Sequence, residues 1–147
     1  MTASTSRTRL LAYWAVTLLI AFELVLGGSW DLARTHYVRA LMDHLGYPLY
    51  TLTILGCWKI AGACAIVTPR FTRLKEWAYA GMFFNFTGAA ASHLFAGDGP
   101  RGWAAPAFSA LLTLASWALR PPSRVLGTSA LTPTHFVQSA SAHASSL

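Results

Sequence analysis

The sequence predicts an all-α integral membrane protein, a four-transmembrane-helix bundle with a short outer interfacial helix. Three observations carry that prediction. The chain has 147 residues, 54% of them hydrophobic and only 11% charged. A soluble domain is about 25% charged, so this chain has too few solvated side chains to cover a globule. Its mean hydropathy of +0.44 agrees. The apolar residues gather into four runs, each close to the roughly 20 residues that cross the hydrocarbon of a bilayer. The basic residues, which give a net charge of +6, sit mostly at the ends of these runs, where lipid headgroups lie. Their placement assigns the charge to membrane orientation and anionic lipid, not to nucleic acid.

Residues 1–8 are polar and Ser/Thr-rich and are expected to be disordered. The first span covers residues 10–28. It is long for a signal-peptide core, contains Glu23 and lacks a clear Ala-x-Ala cleavage site, so it reads as a retained span. In the connection that follows, Val38, Leu41, Met42 and Leu45 recur at i, i+3, i+4 and i+7, with Arg34, Arg39 and Asp43 on other faces. That spacing predicts an amphipathic interfacial helix over about residues 34–45, ended by Gly46 and Pro48.

The second span, residues 47–67, is apolar throughout except for Lys59 near its middle. A lysine there costs roughly 2.5–3.5 kcal/mol on insertion scales. A buried carboxylate, a water-filled pocket or snorkelling of its stem must offset that cost. Cys57 and Cys64 share a face about 10 Å apart along the axis, too far to pair with each other, and read as small packing residues. Residues 70–75, RFTRLK, read as a tight basic loop and a topology signal.

The third span is residues 76–96. Within it Gly88 and Ser92 form a small-x-x-x-small pair, which favours close helix contact in lipid. GDGPRG, residues 97–102, is a compact turn. The fourth span is residues 103–119, with Pro106 in its first turn. Residues 9–120 thus form the membrane domain, and residues 121–147 a flexible tail. Arg7, Arg9, Arg70, Arg73, Lys75, Arg120 and Arg124 fall on one side of this arrangement. Only Arg34, Arg39 and Arg101 fall on the other. The excess predicts a multi-pass protein with both termini inside.

Several motifs recur together: HLGYP (His44–Pro48), LGCWK (Leu55–Lys59), RLKEWAYAG (Arg73–Gly81), FNFTGA (Phe84–Ala89) and the Ser92-His93 pair. In these the chain resembles the DoxX-like family of small bacterial membrane proteins, directly over residues 44–94 and through the span layout as far as Leu119. The resemblance implies a transmembrane four-helix bundle in the bacterial inner membrane. The wider group is associated with quinone-linked sulfur oxidation and redox defence complexes, so it also implies an accessory role in a quinone-linked process, with quinone as the one cofactor suggested. No haem, flavin or iron–sulfur motif is present in the sequence.

The polar groups within the spans are Glu23, Lys59, Asn85, Ser92 and His93. By depth, Glu23 and His93 lie at similar heights, and Lys59 and Asn85 nearer the midplane. The functional expectation is a polar pocket open to the outer side and roofed by the interfacial helix. Glu23 and His93 would be catalytic proton handlers. Lys59 would anchor a carbonyl or quinone oxygen, with Asn85 and Ser92 also binding ligand. The structural alternative pairs Glu23 with Lys59 as an internal ion pair and makes Asn85 and Ser92 interhelical glue, worth roughly 0.6–2 kcal/mol each. Three function classes follow: a membrane redox accessory that binds a hydrophobic molecule, a small acid–base enzyme of isomerase or cyclase type, and a structural or chaperone-like subunit. The expected partners are the bilayer, a hydrophobic ligand, and a partner membrane subunit or second copy. His36 and His44, eight residues apart, have no recognised ligand spacing, so no metal is expected. Trp58, Trp77 and Trp103 read as interface anchors or core filler.

Overall fold

The structure is a computed structural model that describes residues 2–121, with side chains from Arg7 onward. Five helices account for nearly all of it: α1 (Thr2–Leu32), α2 (His36–Leu45), α3 (Tyr50–Val67), α4 (Thr72–Phe95) and α5 (Pro100–Leu119). Three of them, α1 from Arg7 and the whole of α3 and α5, are long and apolar enough to cross a membrane.

The four long helices close a ring in which α1 packs on α3 and α5, and α4 packs on the same two. Cross-contacts fix the directions. Thr17 meets Ser116 and Glu23 meets Ser109, so α1 and α5 are antiparallel. Glu76 with Arg120 and Tyr79 with Ser116 make α4 and α5 antiparallel as well. Short turns between consecutive helices favour this up-and-down order. The main core draws Ile20, Ala21 and Leu24 from α1, Ala63 and Ile66 from α3, Tyr79, Met82 and Phe86 from α4, and Ala110 from α5. A second, smaller core seats Val38 and Met42 of α2 on Leu52 of α3, flanked by Leu41. These α2 residues belong to the stripe that the periodicity marks out. Gly46 ends α2 in the left-handed conformation, at φ 75, which glycine adopts without strain; its N–H bonds back to Asp43 O and the N–H of Tyr47 to Met42 O.

Polarity is inverted relative to a soluble globule. Leu11, Phe22, Trp58, Trp77, Phe84 and Phe95 are exposed, whereas Thr17, Lys75, Ser109, Thr113, Ser116 and Arg120 are buried. Exposed apolar surface on this scale marks contact with an apolar medium. Within the ring, hydroxyls satisfy one another. Thr17 Oγ1 and Tyr79 OH lie 2.7 and 2.8 Å from Ser116 Oγ.

Several sequence expectations are corrected. Gly28 does not end the first helix, and residues 2–8, expected to be disordered, begin it as helix. The residues expected as a basic loop end early: Arg70 turns the chain with φ 77, and α4 begins at Thr72. Lys75 is fully buried, its Nζ donating to Ala65 O at 3.1 Å. The fourth expected span starts earlier, at Pro100, so Pro106 lies beyond the first turn. Cys57 and Cys64 are free and exposed instead of packed inside. A Cβ on Gly88 would meet nothing within 4 Å, so the close helix contact expected of Gly88 and Ser92 is not made. The expected tail lies, after Pro121, outside the described residues.

Candidate ligand-binding site

The close crossing of the bundle falls at Gly28 and Gly56. A Cβ on Gly56 would lie 2.7 Å from Leu32 Cγ and 2.9 Å from Gly28 O. Bare backbone on both helices therefore brings α1 and α3 together. It also lets the stem of Lys59 pass over Gly27 and Gly28: a Cβ on Gly27 would meet Lys59 Nζ at 3.7 Å, and one on Gly28 would meet Lys59 Cβ at 3.1 Å. At the end of this track Lys59 Nζ donates to Asp31 Oδ2 at 2.7 Å. The lysine side chain is 21% exposed and the aspartate 5%. The carboxylate that compensates Lys59 is thus Asp31, and the expected Glu23–Lys59 pair is not formed. Glu23 instead accepts a 2.7 Å hydrogen bond from Ser109 Oγ of α5.

Between α3 and α4, with Leu24 of α1 at its base, lies a cavity of about 460 Å³. Small side chains on both walls leave the space: Ala61, Gly62 and Ala65 on α3, Ala78 and Gly81 on α4. Leu55, Leu74 and Met82 frame it. Trp58 and Trp77, 73% and 81% exposed, stand at its rim and contribute to its lining. Lys59 and Asn85 are the two strongly polar side chains in the wall. An apolar chamber with a few convergent polar groups is the usual form of a small-molecule site.

His93 and Ser92 lie elsewhere, towards the C-terminal end of α4. His93 Nδ1 donates to Asp98 Oδ2 at 2.6 Å, and His44 Nε2 donates to Asp98 Oδ1 at 2.8 Å. The carboxylate cannot donate, so the ring nitrogens facing it carry the protons. These bonds, His93 first and then His44, hold the Asp98 carboxyl below the usual carboxylate range. Tyr47 OH lies 2.8 Å from Ser92 Oγ, and Tyr47, Ser92 and His44 line a small depression under the end of α2. At the opposite end of the bundle, buried Arg120 clasps Glu76 through Nη1–Oε1 at 2.8 Å and Nη2–Oε2 at 3.2 Å. Its guanidinium stacks on Tyr79 and Trp117.

The expected column of polar residues therefore divides into three. Lys59 and Asn85 share the α3–α4 cavity, His93 and Ser92 share the α2 end, and Glu23 sits with Ser109. Asp31 and Asp98 are not legible as site residues in the sequence, because each falls in what reads as a connection. One signal does exist for Asp31. If the first helix continues through Gly28, then Leu24, Gly28 and Asp31 share a face. Among the described residues no group of three or more His, Cys, Asp or Glu side chains is arranged to hold a metal ion.

Spanning-length apolar helices, polar groups turned inward and a lateral apolar cavity define a small helical membrane protein. The chain belongs to the DoxX-like family, whose family model matches residues 15–116. No curated protein and no solved structure matches it.

Proposed function

We propose that this protein binds a hydrophobic small molecule carrying a carbonyl-type oxygen in the α3–α4 cavity, as an accessory component of a quinone-linked membrane redox process. The observation that carries the reading is the cavity itself, apolar on both walls with Lys59 and Asn85 set into them. Both side chains are hydrogen-bond donors to an oxygen acceptor, and an ammonium in apolar surroundings stabilises negative charge gathering on that oxygen. The quinone assignment extends what the family resemblance implies.

In this reading α4 also crosses the bilayer, as the third of four spans in chain order. It connects two spanning-length helices through short turns and runs antiparallel to α5. Its 24 residues reach about 36 Å. Its low hydropathy comes partly from groups that the bundle hides, since Lys75 and Tyr79 are buried and Asn85 faces the cavity. Helix α2, with Val38 and Met42 turned onto Leu52, lies along the outer interface. Both termini face the cytoplasm of a bacterial cell, by the basic-residue bias.

A second reading is favoured by one observation. Asp98 holds His93 with its proton on Nδ1, which leaves Nε2 as an acceptor and orients the ring as a general base. That geometry suits acid–base chemistry on a hydrophobic substrate at the α2 end, with Asp98 in the partner role that the sequence suggests for Glu23.

The test is to purify the protein into lipid nanodiscs and identify co-purifying small molecules by mass spectrometry, for wild type and Lys59→Met. The expected result is an apolar carbonyl compound in wild type that is lost from the folded variant. An unchanged or empty profile in both would sink the cavity reading and favour a structural subunit.

A further inference from the structure

Lys59 meets the cavity already neutralised. Its ammonium has three N–H groups. One goes to Asp31 Oδ2 at 2.7 Å. The carboxylate stands behind the lysine, nearly buried, and takes no part in the cavity lining, whereas Lys59 does. A ligand in the cavity therefore meets the Lys59 side chain without meeting its counter-ion. Asp31 also occupies the last turn of α1, where the helix dipole disfavours a negative charge. Its position is compensated by Lys59. The carboxylate nearest in expectation, Glu23, is turned to Ser109 and does not alter this balance.

We infer that Asp31 sets the charge class of the ligand: the site takes uncharged apolar molecules with an oxygen acceptor and rejects anionic amphiphiles such as fatty carboxylates. The inference rests on the cavity reading above and deepens it. A neutral carbonyl gains a charge-assisted hydrogen bond from Lys59 and brings no charge out of water. An anionic headgroup must be stripped of water to enter. It then meets a pair with no net charge, and the Asp31 carboxylate repels it from a few ångströms behind the ammonium. Asp31 is thus a positioning and specificity-determining residue acting through Lys59. Asp31→Asn leaves a net cation facing the cavity and turns the preference towards anions.

The experiment uses the full-length protein in nanodiscs and two diazirine-bearing alkyl probes of equal chain length, one a methyl ketone and one a carboxylate. Labelling of α3 and α4 peptides is quantified by mass spectrometry at matched membrane concentrations. The expected result is ketone labelling about tenfold above carboxylate labelling in wild type, a difference of about 1.4 kcal/mol, with the order reversed in Asp31→Asn. The double variant Asp31→Asn/Lys59→Met, which again has no net charge there, does not favour the carboxylate. Carboxylate labelling equal to or above ketone labelling in wild type overturns the inference while leaving the cavity as a binding site. Absence of cavity labelling by either probe overturns both. Asp31→Ser is a second uncharged variant should Asp31→Asn misfold, and an unreversed order in either folded variant overturns the role of Asp31.

Discussion

Asp98 binds two histidines from different helices, and its ionisation carries the contact. His44 belongs to α2 and His93 to α4, so this carboxylate ties the short helix to the turn between α4 and α5. Because its carboxyl is held below the usual range, the contribution is full above the ordinary carboxylate pKa of about 4. It is lost as pH falls through the depressed value. The thermal midpoint of wild type in detergent is therefore expected to exceed that of Asp98→Asn at pH 5, with the difference shrinking steadily towards pH 2. A difference that holds constant over that interval would show that the carboxylate's charge is not what ties α2 down. The histidines themselves are legible in the sequence as polar groups near span ends. Their partner is not, because a turn gives no periodicity from which to read the direction of a side chain.

Among the elements, the α1–α3 crossing decides where the lysine goes. Composition locates the long helices and the α2 stripe, since apolar runs and a 3.6-residue period survive without knowledge of neighbours. Ends and contacts are less legible. Gly27-Gly28 looks like a stop, but packed against Gly56 it is a place where two backbones meet and the helix carries on to Asp31. The same glycine ambiguity points to a close contact at Gly88, which in fact has open space around it. Gly56→Ala is predicted to destabilise the bundle by about 1–3 kcal/mol through overpacking, because one of the atoms its Cβ meets, Gly28 O at 2.9 Å, is backbone. Gly88→Ala is predicted to be neutral or slightly stabilising, as alanine is the better helix former. Thermal unfolding of the two variants side by side checks the pair. Equal midpoints would mean that the crossing relaxes at little cost.

For the molecule as a unit, the decisive property is that polar groups turn inward while large apolar side chains turn out. The class of protein is legible for that reason: too few charges for a soluble surface leaves a membrane as the medium. The site is only partly legible. Lys59 and Asn85 are recognisable as intramembrane polar groups, and they do line one cavity. Depth along the helices also groups Glu23 and His93 with them, but depth says nothing of which neighbour each face meets. Trp58 and Trp77, expected as anchors or filler, stand at the rim of that cavity because the small residues behind them leave the seam between α3 and α4 open.

The proposed function depends on a carbonyl-bearing apolar molecule occupying this seam. An experimental structure of the protein, crystallised from a lipidic mesophase after gentle extraction with its native lipids, would show it. Elongated density is expected between Trp58 and Trp77, ending in an oxygen within hydrogen-bonding distance of Lys59 Nζ or Asn85. Helices α3 and α4 closed against each other with no cavity, or a hydrocarbon chain lying there without a polar contact, would contradict that reading.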